Sequence, residues 1–330
     1  MNKKHLKKVA KKTIRSIRMI DFSLLNISEY NKNYINNLLP HLNYCFKIFS
    51  EIIAQLLEND KTLDYIVDFG GGHGFLSLFL KQLGLNVIYC DHNPESVKTI
   101  HAIKKEIGYG PDPIIEGSSS ELLSFCKTKN LIPKYLIATD LIEHVYDLNA
   151  LFADFYVLNP DMSMIFTTGS VQTNILKSKR LRKMMIEEER NVYLPIRKQF
   201  VLNNFPELTS SEIEKLAIRT RGLIFPDITQ YVNNYLKTND LPPVDVDKYN
   251  TCDPQTGNWT ERILSKKQYR KIINAHNFRV NFKNGFYNDE RNNIFTSFAA
   301  KIVNIFIRRF SVSGSLFSPF LILTVKKWIK

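Results

Sequence analysis

Cysteine is scarce and scattered. Cys45, Cys90, Cys126 and Cys252 lie far apart and include no Cys-x-x-Cys pair, so neither a disulfide framework nor a zinc site is signalled. Long apolar runs are also missing. The most apolar late stretch, Phe317 to Val325, is much shorter than the ~20 residues a membrane-crossing helix needs. The glycine-rich turn near position 70 is not followed by Gly-Lys-Ser/Thr, which excludes a Walker-type phosphate loop. Acidic residues are absent from Met1 to Ile20, where Lys3, Lys4, Lys7, Lys8, Lys11, Lys12, Arg15 and Arg18 supply eight of the thirteen excess positive charges. No apolar segment long enough for a secretory signal follows these bases. A reducing, cytoplasmic setting is the simple expectation. No internal repeat or low-complexity segment stands out.

What remains is an ordinary globular composition. With 330 residues, 44% apolar and 23% charged, the chain can bury a full core as one large domain or a domain with an insertion. In the basic arm, Leu6, Val9, Ala10, Ile14, Ile17 and Ile20 are interleaved with the cations. A basic helix of this kind could lie on an anionic membrane surface. Contact with nucleic acid and a solvated, partly disordered tail are the alternatives.

The most informative stretch is Tyr65-Ile66-Val67-Asp68-Phe69-Gly70-Gly71-Gly72-His73-Gly74-Phe75. An apolar run ends on an acid and turns through glycines into a helical pattern, the layout that holds a nucleotide-like ligand. A dinucleotide fingerprint requires a small residue at position 75, where this chain has Phe75. The pattern is instead Asp68-x-Gly70-x-Gly72-x-Gly74. Asn86 to Asp91 reads as a second strand ending on an acid about twenty residues beyond the turn, with His92 beside it. Pro113 to Gly117 reads as a third strand, followed by Ser118. Lys134 to Asp140 is a fourth, leading into Leu141-Ile142-Glu143-His144-Val145, a helix, and a Leu158-Asn159-Pro160 turn into a fifth at Met162 to Thr168.

The glycine pattern resembles motif I of the class I S-adenosylmethionine (SAM) dependent methyltransferases. The Glu143-His144-Val145 element and the Leu158-x-Pro160 turn resemble their small-molecule group, the ubiquinone-pathway O-methyltransferases among them. The resemblance covers Asp64 to Thr168 firmly and Ser265 to Lys327 loosely. It implies an α/β, Rossmann-like seven-stranded sheet with helices on both faces and a mostly helical insertion after the fifth strand. It further implies SAM as cofactor, with Asp68 at the methionine end and Gly70, Gly72 and Gly74 allowing close backbone approach. Asp91 and its neighbour His92 would then lie at the ribose, Ser118 (before Glu116) at the adenine, and Asp140 at the end of the fourth strand. His144, with Glu143 beside it, is the candidate base. The Asp140-x-x-Glu143-His144 cluster also resembles one that binds a divalent cation in that group, with Asp where the pattern has Glu; no metal ligands are assigned.

These readings divide the chain into a basic arm (1–20), N-terminal helices with the cofactor-binding core (21–169), a helical insertion as substrate cover (170–260) and the C-terminal part of the core (261–330). Within the loop Asn250 to Arg262, Trp259 is expected to offer a stacking platform for a sugar or other polar acceptor. The expected acceptor is a small molecule, a lipid-linked compound or a glycan, methylated at oxygen. Nucleic-acid amino-methylases carry Asp/Asn-Pro-Pro-aromatic after the fourth strand, where this chain has Asp140-Leu141-Ile142-Glu143, and the Pro-Cys of base-carbon methylases is absent. Nucleic acid is therefore not the expected partner. A nucleic-acid methylase guided by the basic arm and a SAM-binding protein without turnover are the competing readings. Peripheral contact with an anionic membrane is expected through the arm.

Overall fold

In the computed structural model, residues 2–57, 65–244, 247–290, 293–310 and 312–328 are described; Asp64, where the resemblance begins, lies outside them. Three helices, α1 (Lys3–Arg18), α2 (Glu29–Leu38) and α3 (Leu42–Leu56), precede β1 (Tyr65–Phe69). Helices and strands then alternate: α4 (Phe75–Gln82), β2 (Asn86–Asp91), α5 (Pro94–Ile107), β3 (Ile114–Glu116), α6 (Ser119–Thr128), β4 (Tyr135–Thr139), α7 (Leu148–Leu158) and β5 (Ser163–Thr168). The insertion holds α8 (Ile175–Glu188), α9 (Leu194–Asn204), α10 (Ser210–Arg219) and α11 (Phe225–Thr238). The chain closes with α12 (Lys266–Ala275), β6 (Phe278–Asn284), α13 (Ile294–Arg309) and β7 (Leu321–Lys327).

All seven strands form one sheet in the order β3-β2-β1-β4-β5-β7-β6. The first five are parallel, and β7 runs antiparallel to both β5 and β6. This is the seven-stranded class I methyltransferase sheet that the resemblance implies. Its central strands read as continuous apolar runs because both faces are covered. Ile66, Val87, Tyr89 and Ile137 point into a layer with α1, α3, α4 and α5. Val67, Ile88, Cys90, Leu136 and Ala138 point into the opposite layer with α6, α7 and α12. Strand order reverses between β1 and β4, and a crevice at the carboxyl ends of strands at such a reversal is where open α/β sheets bind ligands.

The basic arm is not a loose tail. Leu6, Val9, Ala10, Ile14 and Ile17 are buried against α3 and α4, and Thr13 sits among them by returning its hydroxyl to the Val9 carbonyl at 3.0 Å. The apolar side expected to be free for a membrane is thus spent on the core, while all eight cations stay exposed. Residue 20 is not a structural boundary. The insertion has a small core of its own, built on Val201, Phe205, Leu216, Ile228 and Val232. Beside it, the buried Arg197 guanidinium pairs with Glu189 and donates Nε–H to the Ala217 carbonyl at 3.0 Å.

If α1 belongs to the folded body, Ile17→Ala should cost ~2–5 kcal/mol in denaturant unfolding, as buried apolar truncations do. Exposed Lys8→Ala should stay within ~0.5 kcal/mol. Equal, small effects would detach α1 from the core.

Candidate active site

The glycine turn is shaped by two forces, backbone strain and close packing. Gly70, Gly72 and Gly74 have φ of 66°, 53° and 75°, the left-handed region that a Cβ makes costly. A Cβ at Gly74 would come within 2.1 Å of Ile100, whereas at Gly72 it would meet nothing within 4 Å. Gly74 is therefore needed to seat α4 on α5, and Gly72 faces open space where a ligand can approach the backbone. The turn is fastened to β2. Gly70 N–H donates to the Cys90 carbonyl at 2.7 Å, Gly72 N–H to Asp91 Oδ2 at 2.8 Å, and the Tyr89 hydroxyl to the Gly72 carbonyl at 2.5 Å. Asn93 N–H donates to Asp91 Oδ1, also at 2.8 Å. Each oxygen of this carboxylate thus accepts one backbone hydrogen bond and keeps a second lone pair.

Next to this turn lies a cavity of about 390 Å³, walled by Gly70, Asp91, His92, Ser118, Leu141, His144 and Tyr146 from the ends of β1 to β4. Gly257 and Asn258 close one side of it from the loop that follows the insertion helices, and Asn258 Nδ2 lies 3.5 Å from His92 Nε2. Of the residues expected at the site, Gly70, Asp91, His92, Ser118 and His144 are brought together on this cavity. Ser118 is partly committed: it forms a capping box with Glu121 at the start of α6, and the serine's hydroxyl and backbone bonds hold the Glu121 carboxyl down near 2. Glu116 is exposed at the end of β3.

Asp68 does not line the cavity. At 1% exposure it lies beneath the glycine turn and accepts the Ser77 hydroxyl from α4 at 2.6 Å. Burial, with the Asp91 charge adding to it, pushes its carboxyl up to about 7 against the pull of Ser77. The reason is the pleat: Asp68 shares the face of Ile66, and that face is covered by α4. Its carboxylate is engaged by Ser77.

His144 has a defined tautomer. Its Nδ1 is 2.7 Å from the Trp259 carbonyl, and a carbonyl only accepts, so Nδ1 carries the hydrogen and Nε2 is left as the basic nitrogen. The same loop receives the end of the insertion twice more, Trp259 N–H donating to the His144 carbonyl at 3.2 Å and Arg262 N–H to the Glu143 carbonyl at 2.9 Å. Trp259 itself is 3% exposed. Its ring stacks on Tyr146 at 6.1 Å, with the Arg262 guanidinium 4.7 Å from its centre. The stacking platform expected for a sugar is therefore occupied by the protein's own side chains.

Beyond His144 the ends of β4 and β5 gather charge. Asp140 adopts φ of 49°, a strained value for a non-glycine residue of the kind that concentrates at functional sites. Its side chain is exposed. The surrounding protein raises its carboxyl above the ordinary range, while Lys177 draws it down and Glu261 adds to the rise. Glu143 is buried and accepts Gly169 N–H on Oε1 at 2.7 Å. Burial first, then the Asp140 charge, pushes it up to about 8. Lys177, held on the Pro319 carbonyl at 2.6 Å, is lowered by burial against the pull of Asp140 and Glu261. The resemblance to a cation-binding cluster does not carry through in space: among the described residues no three His, Cys, Asp or Glu side chains converge as metal ligands. Glu143 turns to Gly169 while His144 turns to Trp259.

Several residues at this site were not singled out in the sequence. Tyr34 of α2 stacks on His73 of the glycine turn, centroids 4.7 Å apart, and burial, then Asp140, raises its phenol. Burial drops His73 to about 4. The buried Asn31 holds α2 in place by donating to the Glu95 carbonyl at 3.0 Å and to Thr99 Oγ1 at 2.8 Å. Tyr146 joins core to insertion through its hydroxyl, which donates to Asp227. The aromatic residue two places after Glu143-His144 was a usable signal for Tyr146; Tyr34 and Lys177 carry none in the local sequence.

No known family profile and no curated protein matches the chain. Among solved structures it is similar to a SAM-dependent methyltransferase from Archaeoglobus fulgidus, at 14% identity and a TM-score of 0.38 over 84% of this chain and 93% of that one. It is also similar to a SAM-dependent methyltransferase from Methanosarcina mazei (14%, TM-score 0.42, 84% and 98%). A third similar structure is the magnesium protoporphyrin IX methyltransferase of Synechocystis with bound SAH (13%, TM-score 0.39, 85% and 82%). Likenesses of this size carry no function from one protein to another; the fold rests on the strand order given above.

A carboxyl raised in the native state holds its proton there more tightly than when unfolded. Its contribution to stability is complete below the ordinary carboxylate range and is lost as pH rises through the folded value. For Glu143 that window runs from about 4.5 to about 8. Urea unfolding should show the wild type losing stability from the acid to the alkaline side of this window. Glu143→Gln, which cannot ionise, should lose less, by on the order of 1–4 kcal/mol. Parallel profiles would mean that Glu143 ionises as an ordinary surface carboxyl.

Proposed function

We propose that the chain is a methyltransferase that moves the methyl group of SAM to an oxygen of a small-molecule, lipid-linked or glycan acceptor. The observation that carries this reading is the convergence of the glycine turn, Asp91 and the start of α6 on one cavity at the strand-order reversal, with His144 on its wall. Asp91 retains a free lone pair on each oxygen, the requirement for a vicinal diol such as a ribose. The open space at Gly72 allows backbone approach.

SAM supplies a sulfonium methyl whose departure needs no proton, so the work left to the protein is alignment and removal of the acceptor's proton. His144 suits the second task, because the Nδ1–H bond to the Trp259 carbonyl leaves its Nε2 free as the base. Trp259 then serves the base through its backbone rather than an acceptor through its ring. The absence of the nucleic-acid methylase motifs after the fourth strand disfavours a nucleic-acid acceptor. The free thiols of Cys45, Cys90, Cys126 and Cys252 fit a reducing, cytoplasmic setting.

Calorimetry should detect SAM binding, with Asp91→Ala weakening it about tenfold or more, a loss of ~1.4 kcal/mol or above. His144→Ala should bind SAM within a few-fold of wild type yet abolish transfer of labelled methyl to extract acceptors. Unchanged SAM affinity in Asp91→Ala would sink the ribose assignment, and full transfer by His144→Ala would remove it as the base.

A further inference from the structure

One element presents the wrong side to water. Helix α13 turns Ala300, Asn304 and Ile307 inward. Its outer side carries Ile294, Phe295, Phe298, Ile302, Ile305 and Phe306, with Ile294 80%, Phe295 86% and Ile305 69% exposed. These positions share one face of a 3.6-residue helix, the reverse of the usual surface pattern. The orientation is locked rather than free to roll. The buried Asn304 accepts Tyr287 N–H at 2.7 Å and donates to the Tyr287 carbonyl at 2.9 Å, and Asn293 caps the first turn by accepting Phe295 N–H at 2.9 Å. Val312 and Phe317 extend the apolar surface past the helix end.

Positive charge flanks this face. Lys301, Arg308 and Arg309 are exposed on α13 itself. A cleft of about 740 Å³ joins α13 to the basic side of α1, lined by Lys3, Lys7, Lys11 and Arg308. Of the acids in that cleft, Glu51 is already paired with Lys283 at 2.8 Å and Arg308 at 3.2 Å. Among the described residues no helix is long and apolar enough to cross a membrane; α13, at 16 residues and amphipathic, has the dimensions of a helix that lies in the interface.

We propose that the outer face of α13 seats in the headgroup region of an anionic lipid bilayer, with the basic side of α1 against the lipid charges. An apolar helix face with flanking cations gains from both burial and surface potential. A second copy is the poorer occupant, because pairing two α13 faces would bring two chains of net charge +13, each with its basic side, against one another. The proposal does not depend on the methyl-transfer reading.

The test is flotation of the full chain with vesicles of phosphatidylcholine containing about one third phosphatidylglycerol, beside pure phosphatidylcholine. Binding to the anionic vesicles is expected. It should fall about tenfold or more in Phe295→Glu/Phe298→Glu, and by several-fold in Lys7→Glu/Lys11→Glu or at high salt. Both variants alter exposed side chains, so their thermal unfolding should match the wild type. Absent vesicle binding, or binding untouched by Phe295→Glu/Phe298→Glu, would overturn the proposal. So would a concentration-dependent dimer that this variant dissolves, which would assign the face to a second copy.

Discussion

The hydrogen bond from Gly72 N–H to Asp91 Oδ2, at 2.8 Å, joins the two strand ends from which the candidate site is built. It can form only because the turn takes a left-handed path at Gly70, Gly72 and Gly74, and because β1 and β2 are paired in a register that ends with Phe69 beside Cys90. The Asn93 N–H on the other oxygen fixes the carboxylate's plane. A buried carboxylate held by two backbone donors is a preorganised acceptor for hydroxyl groups. The Tyr89 hydroxyl, on the far side of the turn, keeps the Gly72 carbonyl from being stranded.

The loop after β4 is the second centre of organisation. Glu143 and His144 receive the chain that returns from the insertion, through Arg262 and Trp259, and Tyr146 reaches into the insertion by donating its hydroxyl to Asp227 of α11. The insertion therefore does more than close one side of the cavity: its return segment fixes the tautomer of His144. On the other side of the cleft, the segment from α13 into β7 is bonded to the start of α8. The Ser315, Ser318 and Pro319 carbonyls accept from Thr173, Asn174 and Lys177, so α13 is one short segment away from the charged end of β4 and β5.

The fold was legible where the sequence signal is local. An acid followed by glycines at alternate positions marks a tight strand-to-helix turn, and continuous apolar strands imply a sheet covered on both faces. Asp91 could be placed by its distance from the turn alone. Where legibility failed, the missing fact was tertiary. The amphipathic pattern of α1 says that one face is apolar, not that α3 and α4 cover it. The pattern of α13 gives a helix but not which side faces out; that is set by Asn304 and its bonds to Tyr287. Trp259 read as a stacking surface from its loop composition, and only the position of Tyr146, more than a hundred residues earlier, shows that its ring is already covered. The resemblance sets Asp68 at the methionine end, directly or through water, and does not show its bond to the Ser77 hydroxyl beneath the turn.

The most direct test of the central claim is a crystal structure with S-adenosylhomocysteine, the product that methyl transfer would leave. The ribose hydroxyls should lie within hydrogen-bond distance of Asp91, with the adenine between Ser118 and the segment Leu141 to Ala150. A ligand bound away from Asp91, or none bound to folded protein at saturating concentration, would contradict it.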